Sequence, residues 1–151
     1  MTALVTALTE DFTLGEFIVS REYPHLASQV RDCLTETDKI KCFLLARLYL
    51  QNVRNQYKSA ITILSGKRSF ELNKAIGGSS TSDHLFLNET AAVDFTCENI
   101  KDVAVWISMK EWGWGQLIYY PHQKFIHISL PSQKHYREKL KSIDGKISPL
   151  L

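Results

Sequence analysis

Two strand-like segments each carry a side chain that an apolar strand does not need. In Ala91-Ala92-Val93-Asp94-Phe95-Thr96, alternation sets Ala91, Val93 and Phe95 on one face and Ala92, Asp94 and Thr96 on the other. In Phe125-Ile126-His127-Ile128-Ser129-Leu130, the aliphatics Ile126, Ile128 and Leu130 share one face, and Phe125, His127 and Ser129 the opposite one. A carboxylate in so apolar a setting is costly unless it is paired, hydrogen-bonded or metal-bound. Asp94 and His127 therefore read either as a hydrogen-bonded pair or as two metal ligands. A third candidate, His84, closes the small-residue loop Ser79-Ser80-Thr81-Ser82-Asp83-His84, which by composition alone is a surface loop. The order of the three changes the weighing. Three N/O donors with one position left to water describe a catalytic zinc site rather than a structural one.

These residues need elements to hold them. Thr13-Leu14-Gly15-Glu16-Phe17 has the spacing of a capping box and predicts a short helix start. From Glu36 to Tyr57 the chain predicts a long helix, with Ile40, Phe43, Leu44, Leu48, Val53 and Tyr57 as its apolar stripe. Lys39, Lys41, Arg47 and Arg54 fall on its other faces. A strand is expected over 60–65, a short helix over 68–76 stopped by Gly77-Gly78, and a strand over 90–96. An amphipathic helix over 98–110 follows, then strands over 116–120 and 125–130 joined by Pro121-His122-Gln123-Lys124. The polar, basic tail from Pro131 is expected to hold a final helix around 136–141. Helices mixed with strands and a late hairpin predict an α+β fold with a small, mainly antiparallel sheet flanked by helices.

Composition narrows the function classes. At 151 residues and 44% hydrophobic, the chain is expected to be one soluble globular domain spanning 1–151. A net charge of +2, with the bases scattered, gives no reason to expect nucleic acid as a partner. No apolar run approaches the ~20 residues of a membrane span, so no membrane insertion is expected. Cys33, Cys42 and Cys97 show no paired spacing and read as reduced, mostly buried thiols. Met1 to Phe12 lacks a basic leader, which makes it a poor secretory signal and predicts a protein that is cytoplasmic on synthesis.

Longer stretches carry a family likeness. Ser65-Gly66-Lys67-Arg68-Ser69-Phe70-Glu71-Leu72-Asn73, then Gly77-Gly78, Ser82-Asp83-His84 and Ala92-Val93-Asp94, resemble the zinc D-alanyl-D-alanine carboxypeptidase/endopeptidase family. The pattern there is S-G-[aromatic]-R-S-x-x-L-N, G-G-x-x-x-S-x-H and A-x-D. Phe12 to Phe17 and Gln116 to Ser129 resemble the N- and C-terminal signatures of its phage-type branch, so the likeness runs from Phe12 to Leu130. It implies a Hedgehog/DD-peptidase-like fold holding zinc through His84, Asp94 and His127. It implies hydrolysis of peptidoglycan stem-peptide amides by metal-activated water, as a D,D- or L,D-carboxypeptidase or endopeptidase. Arg68 carries over as the residue that binds a substrate carboxylate or stabilises the oxyanion, work suited to a fixed charge with forked donors. Ser82 carries over as a substrate-site residue that orients the loop or donates to the Asp carboxylate, with a plain turn residue as the equal alternative. Virion association, or release at lysis, is a further implication.

The chain also departs from that pattern. Nine residues separate His84 from Asp94, about three more than the pattern has, an excess that a loop absorbs at small entropic cost. Lys67 stands where an aromatic is usual. A zinc peptidase needs a carboxylate near the reacting water as base and then acid, yet the positions where relatives place it hold Gly115, Tyr120 and Lys124. The remaining candidates are Glu89, Asp83, Glu111 and His122. Trp114, with Trp106, Trp112, Tyr119 and Tyr120, is a candidate wall for a sugar or stem-peptide groove, with core packing as the plainer reading. The missing base keeps a second function open: a weak or inactive zinc-binding module of the same fold, serving as a peptidoglycan binder or virion component.

Overall fold

Alternation builds the sheet that the site stands on. In the computed structural model, which describes residues 6–151, six strands form one sheet. They are β1 (Thr62–Ser65), β2 (Ala92–Thr96), β3 (Gln116–Tyr120), β4 (Phe125–Ser129), β5 (Glu138–Ile143) and β6 (Lys146–Pro149), in the order β1-β2-β4-β3-β5-β6. Every neighbouring pair is antiparallel except β3 with β5, so the architecture is α+β with a mainly antiparallel sheet. Val93 and Phe95 of β2, Ile126 and Ile128 of β4 and Leu117 of β3 are buried on one face. Residues 1–5, part of the segment read as a poor leader, lie outside the described residues.

Among the described residues, five α-helices accompany the sheet: α1 (Pro24–Asp32), α2 (Glu36–Leu45), α3 (Gln51–Tyr57), α4 (Phe70–Ile76) and α5 (Ile100–Ser108). Val103, Ala104 and Ile107 of α5 join the same core as the inward strand residues. A π-helical turn, Ala46–Leu50, links α2 to α3, so the helical stretch runs from Glu36 to Tyr57 as expected. Its buried face is not the expected one. Ile40, Phe43 and Leu48 are 57%, 41% and 42% exposed, while Lys41, Cys42, Leu45, Ala46, Tyr49, Leu50 and Val53 are buried. The departure begins within α2, before the π turn, where Asp38, Lys41, Cys42 and Leu45 are buried at helical spacing, and polar side chains on this face find partners. Tyr49 donates its hydroxyl to the Gly113 carbonyl at 2.7 Å, and Lys41 donates to the Phe86 and Asn88 carbonyls. The Thr13 box caps only a short 3-10 turn, Leu14–Phe17, with the Thr13 N–H donating to the Glu16 carboxylate at 2.7 Å. Helix α1, with Pro24 at its first turn, has no counterpart in the expected elements.

The tail corrects the expected helix around 136–141. Glu138–Ile143 is strand β5, laid parallel against β3, and β6 returns beside it. Between them Asp144 and Gly145 both have positive φ, 50° and 80°, the conformation of a tight hairpin turn. The open edge of β3 offers ladder hydrogen bonds that a solvated helix would forgo. Cys33, Cys42 and Cys97 are free thiols, Cys33 exposed rather than buried. Among the described residues no helix is long and apolar enough to cross a membrane.

Gly115 shows how tightly the sheet closes near its centre. A Cβ there would stand 2.5 Å from the Leu130 carbonyl oxygen and 2.6 Å from the Ser129 hydroxyl. Backbone cannot retreat as a side-chain tip can. Gly115→Ala is expected to cost about 1–3 kcal/mol of stability, read as a lower midpoint in denaturant unfolding; an unchanged midpoint would show that the strand yields freely.

Candidate metal centre

Register brings the first two ligands together. Asp94 of β2 is paired directly with His127 of β4, and Ser65 of β1 faces Asp94 from the other side across a bulge. All three stand on the sheet face opposite Val93, Phe95 and Ile128, the segregation that alternation predicted. His84 arrives from outside the sheet on the 3-10 turn Asp83–Leu85. Three contacts aim it. The Ser82 hydroxyl accepts its backbone N–H at 3.2 Å, its carbonyl accepts the Arg68 N–H at 2.8 Å, and its Nδ1 lies 2.8 Å from the Gly66 carbonyl. Gly66 is itself pressed against Phe17: a Cβ there would lie 2.2 Å from the Phe17 carbonyl oxygen, where a side chain has no room.

His84, Asp94 and His127 each present one donor atom, all within 4.8 Å of one another. The hydrogen bonds fix what those atoms are. A carbonyl only accepts, so His84 carries a proton on Nδ1 toward Gly66. Its Nε2 lies 3.1 Å from Asp94 Oδ1, donating a hydrogen bond there when the ring is protonated and offering a lone pair to a cation when it is neutral. His127 donates from Nδ1 to the same oxygen at 2.8 Å, and its own Nε2 is buried without a partner. Burial, the largest influence, pulls His84 below the ordinary imidazole pKa against the attraction of Asp94, which favours the neutral ring. Burial alone would raise Asp94, but the charge of His84 and hydrogen bonds from both histidines hold it well below the usual carboxylate range. Two imidazole nitrogens and a carboxylate, buried and rich in lone pairs, fit a cation such as zinc.

Arg68 stands beside this cluster. Its Nη2 lies 3.7 Å from Asp94 Oδ2, its Nε donates to the Ser65 hydroxyl at 2.9 Å, and its Nη1 to Asn73 Oδ1 at 3.1 Å. Asn73 is itself anchored by donating to the Ser79 carbonyl at 2.8 Å. Asn73, Gly66 and Ser65 are thus supporting residues, visible in the sequence only as parts of the S-G-x-R-S-x-x-L-N run. A cleft of about 740 Å³ opens at Arg68 and Asp94, bounded by the Gly15–Glu22 segment, α1, β1 and Phe125.

The remaining candidates are dispersed. Asp83 is buried but turned to Lys134, whose ammonium is 3.0 Å from its Oδ1. Glu89 is exposed and accepts the Gln133 N–H at 3.3 Å. Neither joins the three-residue cluster. Glu111 is exposed, and His122 pairs with Asp144 at 3.1 Å on the hairpin turns. Ser82 caps the turn under His84 through its hydroxyl rather than reaching the Asp94 carboxylate. Trp114 is corrected outright as a groove wall: it is 0% exposed, with its indole N–H donated to the Glu138 carbonyl at 3.2 Å. Tyr120 stacks on Phe125 with ring centroids 4.2 Å apart. Burial first, and the Asp94 charge second, raise the Tyr120 pKa, which keeps the phenol protonated at neutral pH.

A family described as Peptidase M15 matches residues 19–129 of the chain by its sequence profile. No curated protein and no solved structure matches it.

The purified protein is expected to carry about one zinc per chain, and His84→Ala or Asp94→Ala to lose it, as measured by elemental mass spectrometry. Full zinc content in either variant would remove that residue from the ligand set.

Proposed function

The chain belongs to the peptidase M15 family, and from that premise we propose a zinc-dependent peptidase that hydrolyses amide bonds of peptidoglycan stem peptides. The reaction would be that of a D,D- or L,D-carboxypeptidase or endopeptidase, exercised from a virion or at lysis. The observation that carries this reading is the buried His84–Asp94–His127 donor set beside Arg68 at the end of an open cleft. Zinc held there would supply Lewis acidity to a carbonyl and a lowered pKa to a water molecule.

The chain's own residues supply the rest. Arg68 keeps a positive charge at any working pH, and Ser65 and Asn73 fix its fork before substrate arrives. It is placed to hold a substrate carboxylate or an oxygen that gains negative charge, a preorganised donor of the kind that contributes most to acyl-transfer rates. Tyr120 offers a protonated phenol but no acceptor for a proton. The apolar wall of Ile63 and Phe125 limits water around the bound peptide.

A second reading, a zinc-bearing module that binds peptidoglycan or serves in a virion without turnover, is favoured by one observation. The carboxylates of Asp83 and Glu89 are engaged by Lys134 and Gln133 instead of turning to the cluster.

Incubation with purified muropeptides separates the two. The peptidase reading expects stem-peptide cleavage that a chelator abolishes and zinc restores. Arg68→Ala is expected to lower kcat/KM by about 10²–10³ with zinc retained; unaltered hydrolysis by that variant would take Arg68 out of the reaction. A fully loaded protein that cleaves nothing would establish the binding module.

A further inference from the structure

The cleft carries a charge pattern that the metal centre and Arg68 leave unused. Helix α1 turns one stripe toward it, Pro24, Ala27 and Arg31, at the i, i+3, i+7 spacing that lines up on a helix face. Arg21, just before the helix, lines it as well. Three guanidinium groups thus meet in one hollow with two carboxylates, Glu22 and Asp94. Asp94 is already committed to two imidazoles and Arg68. Arg31 donates to the neutral Ser28 hydroxyl at 2.7 Å. Among the described residues, neither Arg21 nor Arg31 is paired with a carboxylate. From Pro24 to Arg31 the helix rises about 10 Å, the length of about three extended residues. The hollow therefore suits a short peptide segment, with Ile18 and Ile63 to pack against and uncompensated positive charge along one side.

Resting on the peptidase reading, we propose that this cleft holds the substrate peptide beside its reacting bond. Arg21 and Arg31 form a second anion subsite there, selecting an acidic peptide with a free carboxylate distinct from the group that Arg68 holds. Both side chains reach solvent, so the selection is electrostatic and salt-sensitive, expressed in binding and KM more than in kcat.

Two synthetic stem-peptide analogues test it. They share their sequence and a free C-terminus and differ only in whether the internal carboxylates are free or amidated. Their affinities for the zinc-loaded protein are measured by calorimetry at low and high salt. The acidic peptide is expected to bind about tenfold more tightly at low salt, with the gap closing as salt rises. The double variant Arg21→Gln/Arg31→Gln is expected to lose the preference while keeping its zinc and its melting temperature, and Arg31→Glu to reverse it. Equal affinity for the two peptides, binding of neither, or a preference that survives the double variant would overturn the subsite. Because affinity and cleavage are read separately, the two readings fail separately. Selective binding without cleavage sinks the peptidase and keeps the subsite, whereas equal cleavage of both peptides with equal affinity does the reverse.

Discussion

A carboxylate buried between two imidazoles is the constraint around which the molecule is arranged. Asp94 Oδ1 lies 2.8 Å from His127 Nδ1 and 3.1 Å from His84 Nε2, in a position from which water is largely excluded. Leaving such a group unpaired would cost several kcal/mol, so every element that reaches it has little freedom. Strand register supplies His127, and a one-residue slip would send His127 to the core face and Ile128 to the site. The turn at Ser82 supplies His84, and Gly66 supplies both an acceptor for that ring and the closeness to Phe17 that seats the turn. Arg68 then sits against the outer oxygen, held by two neutral side chains and not by a second acid. Asp94 and Arg68 already offset one another's charge, and what a cation would engage is the donor atoms of the two rings and the carboxylate.

The two departures between Ser65 and Asp94 form one device. The long segment after His84 is clamped from beneath by lysines: Lys67 donates to the Leu85 carbonyl at 2.6 Å, and Lys41 to the Phe86 and Asn88 carbonyls at 2.8 and 2.5 Å. Both ammoniums also lie over the Phe86 ring, at 5.4 and 5.9 Å from its centre. Phe86 and Asn88 have positive φ, 58° and 52°, so the backbone curls and turns its carbonyls inward. Burial, the largest influence, lowers both lysine pKa values, and nearby Asp38 opposes it. An aromatic at position 67 could not donate to those carbonyls. The extra residues and the lysine therefore belong together, which is why the segment does not disturb the ligand that precedes it.

Legibility in the sequence followed the range of the interaction. Alternation is local, and it placed Asp94 and His127 on the right face before any partner strand was known. The strand and helix order from Glu36 through Ser129 was readable for the same reason, whereas helix α1 before it was not. The buried face of the long helix was not readable either, because Lys41, Cys42 and Tyr49 lie on it while the more apolar Ile40, Phe43 and Leu48 stay exposed. Lys41 looked like a solvated base, and only the distant carbonyls of Phe86 and Asn88 explain its burial. Strand β5 was misread because its partner, the edge of β3, lies outside any local window. Trp114 was ambiguous in the same way: an aromatic is wall or core according to what closes over it, and here Arg137 stacks 4.5 Å from its ring. His84 is the intermediate case, since its loop says surface and only its convergence with two strands makes it a candidate ligand.

The weight of the functional question falls on three positions in or beside β3 and β4 where an acid would serve. Position 115 admits no side chain, since a Cβ meets backbone there. Lys124 occupies the hairpin turn with φ 58°, and Thr96 donates its hydroxyl to the Lys124 carbonyl at 2.7 Å. Position 120 shares the sheet face of His127, since alternation along β3 sets it with Ile118, the register partner of His127. A protonated phenol and a guanidinium are both donors. Donors alone hold a carbonyl oxygen in the bound peptide as well as in the transition state, and binding of that uniform kind tightens association without raising kcat. They accelerate hydrolysis only to the extent that charge develops on the oxygen they face. The same geometry thus suits a tight binder without alteration, whereas as a hydrolase it must rely on electrostatic stabilisation more heavily than a site that carries its own base.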